Sequence, residues 1–444
     1  MIDDPHRRAF IASAIACLGA PLPALARIDP VCVNDPAISD MAKPLTIDTH
    51  THFFNGRDLQ VKEFLSQTTV GPDSELYPLV KGLGGMLQGL AWHLAPDAQS
   101  ERRAMAQYAD RLRHCTGASQ LRGIADPAFE QGYALGRAEL QRTASELKQT
   151  SDGAAVLAAK PGDDGLGAVI DALPASYDAF ETESTKGTSV LGSNPSLLGY
   201  VQFVLHHFNH RHVNAIDYLT TYSRNSPRKV DLAVASMVDF DWWLAKGAAT
   251  PTPLSEQTEL MTEMSVLLGG RVHGFVAYCP FRELRTLDAQ GVGDGMRMVK
   301  RAIEERGFIG VKLYPPMGFA AWGNTGKNVW AGKRSLHASA AAPDFGQRLD
   351  AAMASLFRYC VEKDVPIMAH TNHSNGPYPE FKALAGSEYW KLALDKFPGL
   401  RVSFGHFGDT DLEDRKGSRT LPFLKLMTKD AGTPGTNTFA DSGY

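Results

Sequence analysis

Five side chains with the chemistry of a metal centre stand at or near the ends of apolar segments. The run TIDTHTH (46–52) closes on His50, Thr51 and His52. In extended chain, residues two apart project to the same side, so both imidazoles can reach one ion. Imidazole is the common ligand of zinc and similar divalent ions. His370 ends VPIMAH (365–370), His406 ends LRVSFGH (400–406), and Lys312 lies in GVKLYP (310–315). Taken alone, an H-x-H is equally the signature of two surface histidines at a strand end. Four histidines and a lysine at the carboxyl ends of parallel strands, however, would converge on one mouth of a barrel.

The elements that must position them follow from hydrophobic periodicity. Short apolar runs at 45–50, 229–239, 271–279, 308–314, 365–370, 400–406 and 437–442 read as strands. Between them Met296, Val299 and Ile303, then Phe345, Leu349, Met353, Phe357 and Cys360, recur every three or four residues as helices do. Alternating strands and amphipathic helices give an α/β chain, and repeated βαβ units build a parallel sheet. The expected architecture is a (β/α)8 TIM barrel with seven strands present; the chain stops where the eighth βα unit should begin. Residues 53–228, helical in pattern over GRAELQRTASELKQ and SLLGYVQFVLHHF, read as an insertion on the first βα loop. Active sites of such barrels are built from these loops, so the insertion is expected to cover or line the pocket. The main domain is 45–444.

At this point the local sequences IDTHTHFF, YCPFRE, GVKLYPP, PIMAHTNHS and LRVSFGHFGD resemble the amidohydrolase superfamily, in its amidohydrolase-related branch. The resemblance covers 45–52 and about 229–444. It implies that His50, His52 and His370 ligate a divalent metal, zinc first, in one or two ions. It implies that His406 either binds a second ion or holds and deprotonates water or substrate, and that Lys312 is a carbamylated bridge; a lysine paired with a carboxylate inside the barrel is the other reading of Lys312. The implied activity is hydrolysis of an amide, ester or lactone of a small organic molecule. Decarboxylation is the alternative, and a non-catalytic binding barrel a third if the chain truly ends at Tyr444. The resemblance also calls for an aspartate after strand eight. Asp441, on the seventh strand, reads as a poor substitute, and the expectation is a fragment cut short before that residue.

Further candidates surround this set. Arg282 in CPFRE either grips a substrate carboxylate or pairs with Glu283. His373 and Asn375 either line the pocket or solvate a loop. Asp239 and Asp241 end the second strand, and Asp48 is placed to orient an imidazole as an outer acceptor. In HHFNHRH (206–212), His206 and His210 stand one helical turn apart, a spacing that binds metal only with a third ligand. Residues 82–85, GLGG, read as a loop or helix break, since no strand precedes them as a phosphate cradle requires.

Composition excludes other classes. A net charge of −4 argues against a nucleic-acid partner, and no interior apolar run approaches the ~20 residues of a membrane span. The five cysteines form no C-x-x-C pair. Arg7 and Arg8 before Phe10 and Ile11, an apolar stretch, and Ala24-Leu25-Ala26 read as an export signal over 1–26 that resembles the twin-arginine type. A linker follows at 27–44. The expected location is periplasmic or secreted, and a short amphipathic helix is the competing reading of the same residues.

Overall fold

The structure is a computed structural model that describes residues 45–70, 77–112, 118–149, 154, 166–176, 205, 207–225, 230–373, 376–409, 417–428 and 437–441. The expected export signal, the linker, His206 and Asn375 lie outside the described residues.

Seven parallel strands form one sheet in chain order: β1 (Ile47–Thr51), β2 (Leu232–Ser236), β3 (Val272–Ala277), β4 (Gly310–Leu313), β5 (Ile367–His370), β6 (Val402–Gly405) and β7 (Thr438–Ala440). Each pairs with the next. All seven expected strands are present. The sheet curls, because His50 at the end of β1 and Asp441 just past β7 come within 2.8 Å through Nδ1 and Oδ1. This is a TIM-barrel-like α/β fold.

Strand parity explains what fills its inside. Val234, Phe275 and Met368 form a small apolar cluster of their own, with Ile309 against it. Two residues further along β2 and β5 stand Ser236 and His370, on the same side of their strands as Val234 and Met368. In β4, Gly310 makes room for the plug: a Cβ there would lie 2.0 Å from Phe275 Cε1. Lys312 follows two residues on. Side chains of (β/α) barrels stack in such layers, and here an apolar layer underlies a polar one.

Between β1 and β2 run α1 (Val61–Phe64), α2 (Tyr77–Leu94), α3 (Ala98–Leu112), α4 (Ala118–Leu147), α5 (Leu166–Asp171) and α6 (Arg211–Asn225). Residues 82–85 are neither loop nor break but the interior of α2. Gly84 is tolerated there because α1 crosses so closely that a Cβ would meet Lys62 Cα at 2.8 Å. Buried Arg211 ties three parts of this segment together. Its Nε donates to Glu101 Oε2 (2.9 Å) and its Nη2 to Asp58 Oδ1 (3.2 Å), while Asn55 Nδ2 donates to Glu101 Oε1 (3.0 Å).

After β2 come α7 (Asp241–Leu244), α8 (Leu254–Leu267), α9 (Pro280–Arg285), α10 (Asp294–Glu305), α11 (Phe345–Glu362), α12 (Pro379–Ala383), α13 (Ser387–Lys396) and α14 (Thr420–Thr428). Among the described residues, no helix is long and apolar enough to cross a membrane. Cys279 and Cys360 are buried free thiols, and burial pushes Cys360 up to about 12.

Candidate metal centre

His50, His52, Lys312, His370 and His406 meet at the carboxyl ends of β1, β4, β5 and β6, and Asp441 joins them from the end of β7. The pairing of β1 with β2 shifts register between Asp48 and Thr51. Such a bulge re-aims the side chains it carries, here His50. Asp48 then holds the backbone, since its Oδ1 accepts from His50 N (2.9 Å) and its Oδ2 from the hydroxyl of Tyr218 on α6. The imidazole of His50 is oriented not by Asp48, as expected, but by Asp441 Oδ1.

His50 stands in a line. Lys312 Nζ lies 3.0 Å from its Nε2, and Asp441 Oδ1 lies 2.8 Å from its Nδ1. The consistent tautomer has Nδ1–H donating to the carboxylate and Nε2 accepting from the amine. His52 Nδ1 faces the Ser236 carbonyl at 2.7 Å, which makes Nδ1 the protonated nitrogen and Nε2 the basic one. His370 stacks on Tyr314 with ring centroids 4.1 Å apart, and its Nδ1 lies 3.1 Å from His406 Nε2. His406 has φ 62° and Phe407 φ 42°. These are left-handed conformations that non-glycine residues adopt at a cost of order 1 kcal/mol each or more, held here by the tight turn after β6. Asp441 Oδ1 also accepts from His406 N (3.2 Å).

Burial governs the charge of this cluster. Desolvation first, and the Lys312 charge second, hold His50 below and His52 well below the ordinary histidine value. Desolvation and the neighbouring His406 do the same to His370. Lys312, 2% exposed, is pulled down to about 7 by desolvation, against which the Asp441 charge acts.

Among the described residues, no three His, Cys, Asp or Glu side chains already stand in ligand geometry. The reason is visible: His50 Nε2 is turned to Lys312, and His370 to His406. The donor chemistry fits a divalent ion all the same. Three buried imidazoles are held neutral, the ligating form, and outer acceptors fix the tautomers of two of them, as metal-bound histidines require.

Gly405 is part of the arrangement. A Cβ at this position would lie 2.9 Å from His50 Cε1 and 3.0 Å from the Ala369 carbonyl oxygen. Gly405→Ala is therefore expected to displace the His50 ring and weaken metal binding about tenfold or more while the circular dichroism spectrum is kept. Titration with zinc checks this; an unchanged affinity would show that His50 needs no such clearance.

The other sequence candidates make contacts of their own. Arg282 donates from Nε to Asp239 Oδ2 (2.6 Å) and from Nη2 to Asp239 Oδ1 (3.0 Å) and Asp241 Oδ2 (2.7 Å). Its partner is not Glu283, whose carboxylate instead accepts from Gly293 N and Met296 N at the start of α10. His373 is exposed after β5. His210 and His212 have ring centroids 5.4 Å apart, and no third donor joins them among the described residues. Sequence reasoning set Asp441 aside. The signal was present, since Asp441 follows β7 directly, as His406 follows β6.

A family model described as "Amidohydrolase" matches residues 274–431. Comparison with curated proteins and with solved structures gave no match. The matched segment runs from within β3 to just past α14 and contains Lys312, His370 and His406; His50, His52 and Asp441 lie outside it. The match supports a hydrolase- or lyase-type protein of the amidohydrolase superfamily.

Proposed function

We propose that this protein is a metal-dependent hydrolase that cleaves an amide, ester or lactone bond of a small organic molecule with activated water. The observation that carries the reading is the convergence of His50, His52, Lys312, His370, His406 and Asp441 at one end of the sheet. His50, His52 and His370 would hold a divalent ion, zinc first. Such an ion, when bound, lowers the pKa of water to about 7 and polarises a carbonyl. His406 takes a proton at Nε2, the nitrogen now turned to His370, and returns it to the leaving group. Asp441 keeps the His50 Nδ1 proton in place. Burial pulls Lys312 down to about 7, so part of its population near neutral pH is the uncharged amine that carbamylation would require. Residues 1–26 complete the reading as an export signal that carries the enzyme to the periplasm or beyond.

The lyase alternative relied on Arg282 to grip a carboxylate. That guanidinium is engaged by Asp239 and Asp241, which removes Arg282 as a support for the lyase. The test is metal analysis of the purified protein, followed by assays on a panel of amides, esters and lactones with CO2 release monitored in parallel. Chelation is expected to lower turnover on the order of 1000-fold, and added zinc to restore it. Turnover that survives complete metal removal overturns the reading, and CO2 without hydrolysis products moves it to the lyase.

A further inference from the structure

Arg419 lies between β6 and α14. Its Nη2 donates to the carbonyl of Thr371 at 2.8 Å, and Thr371 is the residue after His370. The Thr371 hydroxyl in turn donates to the carbonyl of Gly405 (2.7 Å) and accepts from Gly408 N (2.9 Å), on either side of His406. The guanidinium is thus seated at the carboxyl end of β5, on the residue after His370, and Thr371 links it to the turn that carries His406.

Arg211 and Arg282 are each met by two carboxylates, but no ion pair forms at Arg419 among the described residues. Asp409, after β6, meets Arg419 through the backbone: its Oδ2 accepts from Arg419 N (3.1 Å) and its Oδ1 from the Thr420 hydroxyl (2.7 Å). Arg419 Nη1 is buried and meets no acceptor among the described residues. Burial without a counter-charge pulls the group down to about 10. A guanidinium withdrawn from water without an acceptor is costly, and its planar fork matches a carboxylate in two parallel hydrogen bonds. The residue as a whole is only half-buried, so part of the side chain faces solvent.

We infer that Arg419 is an anion-recognition residue that receives a carboxylate group of the substrate at the rim of β5 and β6. The inference rests on the hydrolase reading for the word substrate, and narrows it to small organic molecules that carry a carboxylate besides the scissile bond. It also moves the role expected of Arg282 to a different arginine.

The experiment measures binding of benzoate and of its neutral counterpart benzamide to the full-length, metal-loaded protein by calorimetry. The wild type is expected to prefer benzoate. Arg419→Gln is expected to weaken benzoate about tenfold or more, the value of a charge-assisted hydrogen bond, and to leave benzamide unchanged. Equal benzoate affinity in wild type and variant, or a wild type that does not prefer benzoate, overturns the inference. Should the glutamine variant not fold, Arg419→Lys is read instead. It is expected to lose severalfold in benzoate affinity because lysine offers no fork, and an unchanged affinity again overturns the role. Repeating the pair in a His50→Ala, His52→Ala background separates the two readings. An Arg419-dependent benzoate preference that persists there belongs to the guanidinium whether or not the metal centre is correctly assigned, and its disappearance assigns the carboxylate to the metal and overturns the role of Arg419.

Discussion

Replacing His50 and His52 together by alanine is expected to abolish metal binding and to leave a folded protein. The two rings belong to the polar layer of the barrel. The apolar plug of Val234, Phe275 and Met368 lies in a separate cluster to which neither contributes. Removing the His50 ring takes away the link between Lys312 Nζ and Asp441 Oδ1, which it contacts at 3.0 and 2.8 Å. What remains is a lysine and a carboxylate of opposite charge, free to approach each other across the vacated space. The loss in stability should therefore stay within about 3 kcal/mol for each of the two sites, the usual range for a single substitution. Metal affinity, in contrast, loses two neutral imidazoles whose positions are fixed by a bulge, by Asp441 and by the Ser236 carbonyl. Elemental analysis after gel filtration, with a thermal melt on the same sample, reads both quantities. Undiminished metal content in a folded double variant would sink the site assignment.

The strands were legible because each is a short run of β-branched and apolar residues between turn formers, and a sheet buried on both faces needs little else. Most of their ends were read one to three residues too long, as at 229–239 against Leu232–Ser236, while β1 runs one residue further than expected and β5 ends at His370 as expected. The chain leaves the ladder early to form the turns that carry Asp239 and His406. The convergence of His50, His52, Lys312, His370 and His406 followed from parity and strand direction alone. What parity does not encode is register. The bulge at His50 depends on how β1 meets β2, and the reach of Asp441 depends on how far the sheet curls, so Asp441 seemed one strand too early to take part. Local sequence misled in two further places. Arg282 sits beside Glu283 in the chain, yet a residue on a helix points away from its immediate neighbour, and the carboxylates that meet it come from the end of β2. The glycines of 82–85 looked like punctuation, whereas Gly84 reports the crossing of α1, a contact that no window of sequence contains.

Arg282→Met is expected to destabilise the protein by about 3 kcal/mol at neutral pH. Asp239 is 1% exposed and Asp241 5%, and the guanidinium between them is the cation that both carboxylates address. A buried pair broken from one side leaves uncompensated charge, which is why such truncations cost several kcal/mol. The pH dependence separates this role from that of a substrate grip. Burial first and the charge of Asp239 second already push Asp241 up to about 6, with Arg282 acting the other way. Without the guanidinium that value rises further. A carboxyl group whose folded pKa lies above its unfolded value of about 3.9 binds more protons when folded. Its stability is therefore fully present below about pH 4 and is lost as pH rises through the folded pKa. The gap between wild type and variant should be widest at pH 7 and above, and should narrow as acid protonates Asp241. Urea denaturation of both proteins at about pH 7 and pH 4.5 measures it. A variant as stable as the wild type at neutral pH, with activity lost, would return Arg282 to the substrate pocket. A gap that does not shrink in acid would show that the methionine fails through packing rather than through the charges it strands.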